Sequence, residues 1–193
     1  MGIDTSIYSP AAPDGPLRQG EILCDLAQTQ VALRSESEEL VADTLEHPFV
    51  IVVSQDCDLD WDYKARIGKA KEHKLIPNVL FCEVSTAEAI RGGGEINSAK
   101  WGQIKINKDE RYHFLQAAKP EEDVLGQGLP ELGIDFKRYF TIATQEVYFQ
   151  IKNSENIRRC LLNSPYLEHF STRFAYYQFR VALPADHFSE PVS

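Results

Sequence analysis

The stretch HPFVIVVSQDCDLDWD, residues 47–62, decides the fold. The run from Phe49 to Val53 is unbroken apolar and mostly β-branched. It predicts a strand over 48–55 buried on both faces. The strand then meets a serine, a glutamine, a cysteine and four alternating aspartates. A core strand cannot carry carboxylates on a buried face. The chain is therefore expected to leave the strand at Ser54 and turn, with Ser54 and Asp58 bonding loop amides or capping a helix.

Working outward, alternation and apolar runs predict strands over 19–25, 48–54, 78–85, 103–107, 112–117 and 136–143, with 29–34 as a further alternating segment. KDER, 108–111, is the expected turn of a hairpin. YKARIGKAKEHK, 63–74, reads as a short polar helix, 144–152 as another, and 156–162 fits either class. Residues 86–102 start as a helix and break at three glycines. Near the C-terminus Ser164 is the expected N-cap and Pro165 the first helical residue. Leu167, Phe170, Phe174 and Tyr177 then make one apolar face, and the helix 165–181 ends near Leu183 and Pro184. The pattern is mainly β (α+β): a small β-barrel with helical insertions and a C-terminal helix packed on it. Residues 1–17 read as a loose tail. Residues 18–184 are a single domain with insertions at 60–75 and 86–102, and 185–193 form a second tail.

Composition narrows the function classes. The chain has 193 residues, ten Phe, eight Tyr and a net charge of −9. That is enough apolar material for a core. The acidic balance opposes a general nucleic-acid coat, which needs a basic surplus, and leaves room for a small basic patch. No apolar run approaches the roughly 20 residues of a membrane helix, and no signal-peptide core is visible. No membrane partner is expected. Cys24, Cys57, Cys82 and Cys160 form no C-x-x-C pair, which removes zinc-knuckle and thioredoxin motifs. Reduced thiols in a cytoplasmic protein are expected.

Several landmarks carry a resemblance. QGEIL (19–23), HPFVIVVS (47–54), NVLFCEVST (78–86) and IDFKRYFTIA (134–143) follow one another as in the MazF/PemK-like family, bacterial toxins built on an SH3-like barrel, many of which cut RNA. The chain also resembles a group of uncharacterized bacterial proteins sharing SQ-x-CD, GLP…DF+R…FT and a C-terminal LL…PY-x-EH-x-S-x-x-F pattern. The first resemblance implies an SH3-like barrel, a toxin-type endoribonuclease and, as partners, RNA or an antitoxin-like protein; it allows a homodimer. The family carries arginine before the proline. Here that position is His47, and the strand-end hydroxyl is Ser85 or Thr86. His47 can move protons near neutral pH but is a weaker cation.

The aspartates admit three readings. DCDLDWD begins like a calcium loop, but Trp61 and Ile67 stand where glycine and glutamate are required. A simpler divalent site at Asp56 and Asp58 is the second reading; no cofactor is the expected state. The third makes Asp60 and Asp62 caps of a helix rich in Lys and Arg. Cys57 is either a structural thiol or a nucleophile paired with His169, which lies one turn from Arg173. Asp56 or Asp58 is expected to meet His169 or Arg173. Trp101 and Tyr112 are pocket walls or core. Two functions follow: catalysis at His47, Ser85, Cys57 and His169, or a non-catalytic module that binds a protein or small ligand through Ser54, Gln55, Asp56, Asp58 and Arg173.

Overall fold

A computed structural model describes residues 6–34, 39–68, 72–154 and 156–180. The run Phe49–Val53 ends a strand longer than its pattern suggests. β3, Glu39–Val52, pairs antiparallel with β2, Glu21–Arg34, in one long hairpin. The two segments expected at 19–25 and 29–34 are one continuous strand. Asp25 takes a left-handed φ of 51°, opposite Pro48, which has no N–H to donate. Four further strands join them: β1 (Tyr8–Pro10), β4 (Asn78–Thr86), β5 (Tyr112–Leu115) and β6 (Leu132–Ala143), with β7 (Arg158–Leu162) completing the set. The sheet is antiparallel throughout, in the order β1-β7-β2-β3-β4-β6-β5.

The sheet ladder is open, with β1 and β5 as its edges. The edges are linked by side chains instead. The Tyr8 hydroxyl donates to the Gln116 carbonyl at 2.7 Å, just past β5. The connection from β5 to β6 folds against β7, where buried Arg159 makes two bonds to Asp123. The fold is thus α+β, with a curled seven-stranded sheet.

Burial on both faces of the central strands holds. Ile22, Cys24, Ile51, Val53, Cys82 and Val84 share one core with Phe170 and Tyr177 of α5, Tyr166–Gln178. The alternate residues Leu23, Val50, Val52, Val79 and Phe81 share a second core. It includes Leu59 of α1, Asp56–Gly68, and Val147 of α4, Thr144–Asn153. A strand covered on both sides needs no polar face, which is why its sequence reads as a continuous run. A third, smaller core holds Trp101 and Ile104 of α3, Ser98–Lys105, beside α2, Ala87–Gly92.

Four expectations change. Residues 103–107 are not a strand: Asn97 accepts the Lys100 N–H at 2.9 Å and starts α3, whose buried residues Trp101 and Ile104 are three apart. The helical insertion there therefore runs to Lys105. α1 begins at Asp56 rather than near residue 63, so the four aspartates lie inside the helix. Asp60 pairs with Lys64 and Asp62 with Arg66, each at i,i+4, which offsets the poor helix propensity of aspartate. The N-terminal segment is not wholly a tail: Tyr8 and Leu17 are core residues, and β1 hydrogen-bonds to β7. α5 starts one residue late, with Pro165 at the N-cap position and no side-chain cap. The expected helix end at 181–184 and the tail 185–193 lie outside the described residues. No helix among the described residues is long and apolar enough to cross a membrane.

Candidate functional site

The corner after β3 comes first, because the sequence singled it out. Leu80 N–H donates to the Ser54 hydroxyl at 2.9 Å, and Val53 N–H donates to the Leu80 carbonyl at 2.8 Å. Ser54 thus imitates a backbone acceptor where the ladder ends, and the chain turns as expected. The Gln55 carbonyl accepts from Asp58 and Leu59, opening α1. Asp56 accepts two bonds from Arg18, at 2.9 and 3.0 Å, and one from Gln19 N–H at 2.8 Å. Burial alone would raise its carboxyl; these donors outweigh that and hold it below the usual range. The charge that answers Asp56 is Arg18, not His169 or Arg173. Cys57 is exposed, its sulfur 3.8 Å from Gln55 Oε1 and Asp58 Oδ1. Among the described residues no group of three or more His, Cys, Asp or Glu is arranged to hold a metal ion.

His169 and Arg173 serve the other end of the sheet. The Arg173 guanidinium donates to Asn107 Oδ1 at 2.9 Å, to the Tyr112 carbonyl at 3.2 Å and to the Asp109 carbonyl. It also stands 3.4 Å from Nδ1 of buried His113. The His169 ring lies 5.3 Å from the His113 ring. These residues dock α5 on β5, and Cys57 and His169 share no hydrogen bond. Burial pushes the His113 pKa down to about 3, with Arg173 and His169 adding to the shift. The other three thiols are core groups. Burial raises the pKa of each, that of Cys24 to about 11.

A second group does assemble. His47 and Ser85 line one cleft of about 380 Å³ together with Glu83 and Arg138. His47 lies on β3 and is 4% exposed, its ring stacked on Phe140 at 4.0 Å and 10°. Its Nε2 faces Gln28 Oε1 at 3.2 Å, and its Nδ1 lies 3.7 Å from Glu83 Oε1. Burial lowers the His47 pKa, and Glu83 only partly restores it. The ring is neutral at pH 7. Thr86 is occupied, since its hydroxyl accepts Ala89 N–H and caps α2. Ser85 is the exposed hydroxyl of the pair.

A large bulge supplies one of the cations. Tyr139 of β6 pairs with Cys82, and Ile134 pairs with Val84. Between them Asp135–Arg138 faces the single residue Glu83. Bulges re-aim side chains and collect near functional sites. Here the bulge turns Arg138 back onto Glu83, donating at 2.8 Å, a bond that raises the Arg138 pKa. It also turns Asp135 toward Arg111, which makes two bonds at 2.8 and 2.6 Å. His47, Glu83, Arg138, Asp135 and Arg111 form one chain of charged and polar contacts, with the Asp135–Arg138 link at 3.9 Å. Reasoning from residues alone missed Glu83, Asp135, Arg138 and Arg111. The one local trace of them is that DFKR (135–138) breaks strand alternation.

Compared with known protein families, with curated proteins and with solved structures, the chain has no match in any of the three.

Proposed function

We propose that the chain is a divergent toxin-type endoribonuclease of the MazF/PemK-like kind on an SH3-like barrel, acting at the cleft of His47, Glu83, Ser85 and Arg138. RNA is its substrate and an antitoxin-like protein its partner on this reading. One observation carries it: the two positions marked by the family likeness, His47 and Ser85, line the same cleft, and it contains the arginine that position 47 lacks. The hydrogen bond that links the two edges of the sheet, from Tyr8 to the Gln116 carbonyl, supports the barrel reading. Cleavage of this kind forms a bond from the 2′-oxygen to phosphorus and breaks the bond to the 5′-oxygen. It leaves a 2′,3′-cyclic phosphate and a 5′-hydroxyl. Glu83, the half-buried carboxylate between His47 and Arg138, accepts the 2′-hydroxyl proton, with neutral His47 behind it. Arg138 balances the charge that grows on the phosphoryl oxygens, Ser85 donates to one of them, and solvent protonates the departing 5′-oxygen.

The test is cleavage of mixed-sequence single-stranded RNA in the presence of EDTA, with the fragment ends analysed. Arg138→Ala should lower the rate by about 10²–10³, as loss of one such donor does. Glu83→Gln should abolish cleavage while RNA binding persists. Intact RNA at high enzyme, or cleavage indifferent to Arg138→Ala, refutes the reading. A non-catalytic module is the second reading. It is favoured because both His47 ring nitrogens already face partners and both arginines are matched by carboxylates. Exposed Gln55, Cys57 and Asp58 would then be its contact surface. It requires binding without cleavage, weakened by changes at Asp58 and unmoved by Arg138→Ala.

A further inference from the structure

Beside the first cleft lies a second of about 340 Å³, and the two share Glu83, Ser85 and Arg138 as a dividing ridge. Its far wall is Arg111, Tyr112 and Asp135, and its rim carries Ile96 and Glu95 from the segment joining α2 to α3. Gly133 helps form it: Ile90 of α2 fills the place a side chain at 133 would take, so α2 lies close on β6.

Three features fit a nucleobase. Asp135 grips Arg111 through two bonds and so fixes the plane of its guanidinium. That guanidinium sits over the Tyr112 ring at 4.9 Å. A held guanidinium on an aromatic ring is a stacking platform, and bases stack on both kinds of plane. Glu95 is exposed and has no ion pair among the described residues. Its carboxylate offers two acceptors side by side. Guanine alone among the RNA bases presents two adjacent N–H donors, N1–H and the N2 amino group. Adenine and cytosine set an acceptor next to their amino group, and uracil sets its one N–H between two carbonyls.

We infer that this second cleft is the pocket for one nucleobase, guanine, next to the scissile phosphate, with Arg111 and Tyr112 as its stacking platform and Glu95 as the group that reads the base edge. The inference rests on the RNA-cleavage reading, and the two fail separately. Two sets of short single-stranded RNAs are compared, carrying guanine, inosine or adenine at one position. One set is intact and is assayed for cleavage. The other has deoxyribose at the central step, cannot be cut, and is assayed for binding by fluorescence anisotropy. Guanine should be preferred over adenine by about tenfold in both assays, with inosine between, as loss of one good polar contact to a base implies. Glu95→Gln should remove the preference. Tyr112→Ala should weaken guanine binding by about tenfold, and Tyr112→Phe should retain it. Cleavage without base preference, or a preference untouched by Glu95→Gln, overturns the pocket and leaves the cleavage reading standing. Guanine-selective binding without cleavage does the reverse. Neither binding nor cleavage overturns both.

Discussion

His113 offers the sharpest physical test of the fold, because its protonation is opposed on every side. The ring is 3% exposed and lies among Phe136, Phe170, His169 and Arg173. Its pKa falls from the ordinary 6.5 to about 3. A base with a depressed native pKa binds more protons when unfolded. Its contribution is therefore fully present above pH 6.5 and is lost as pH falls toward 3. The loss is about 1.4 kcal/mol per pH unit, so about 2.7 kcal/mol between pH 6.5 and 4.5. For a chain of this size that corresponds to a Tm shift of about 5–11 °C. Other groups also titrate in this window: His47 and His169 are both lowered by burial, while Asp56 and Asp123, held low by arginine partners, take up protons below it. The measurement is therefore a difference. Urea unfolding of the native chain and of His113→Phe, which cannot titrate, is followed from pH 7.5 to 4.5. The gap between them should move in favour of the variant by about 2.7 kcal/mol over that range. A gap that stays constant with pH would show that His113 titrates alike folded and unfolded, and the burial argument would be wrong.

Three other outcomes follow from the same coordinates. Glu21 and Arg158 are both buried and joined by two bonds at 2.5 and 2.8 Å. Glu21→Gln keeps the shape but strands the arginine, and should cost about 3–5 kcal/mol in urea unfolding. Gly128 has φ +73°, and a Cβ there would stand 2.5 Å from the Ala118 carbonyl oxygen. Gly128→Ala should cost about 2 kcal/mol or more by calorimetry, combining left-handed strain with a backbone clash. Mass spectrometry after native alkylation with N-ethylmaleimide should find one modified thiol, Cys57, since Cys24, Cys82 and Cys160 are buried with raised pKa values; labelling of Cys160 without denaturant would contradict the packing.

What the sequence disclosed was what neighbours in the chain decide. Phe49–Val53 announced a doubly covered strand, Ser54 announced its end, and the spacing from Leu167 to Tyr177 announced α5. Local ambiguity caused the errors of type. The alternation DCDLDWD has the period of a strand, yet the segment is helical because Lys64 and Arg66 lie one turn beyond Asp60 and Asp62. QIKIN also alternates, but Ile104 packs with Trp101 while Ile106 is 58% exposed, so it closes a helix. The long-range partners of charged groups were not legible. Asp56 finds Arg18 across 38 positions, Arg138 finds Glu83 across 55, and Arg158 finds Glu21 across 137. Nothing in a one-dimensional pattern selects among twenty cations for such pairs. For the same reason His47 and Ser85 were nameable as candidates, while the groups that make their cleft a charged one were not.

The net charge of −9 bears on the cleft less than it first suggests. Charges beyond about 10 Å of one another in water are largely screened at 0.1 M salt, so the cleft responds to its own neighbours. There two carboxylates stand against two arginines, and on the proposed RNA-cleavage reading a phosphate must compete for a guanidinium already paired. The two pairs differ in what that competition costs. The Arg138 side chain is 66% exposed, and an ion pair so open to water contributes at most about 1 kcal/mol. Arg111 is less exposed, at 33%, and its partner Asp135 is fixed by a further bond from Lys137 N–H at 3.0 Å. Arg138 is thus the cation that can leave its carboxylate for an arriving phosphate, and Arg111 is the one that stays as a fixed surface. On that reading, once Arg138 turns to the phosphate, Glu83 is left without its guanidinium partner. The proposed mechanism therefore needs only one movement, since the turn of Arg138 that binds the anion also frees Glu83 for the 2′-hydroxyl proton.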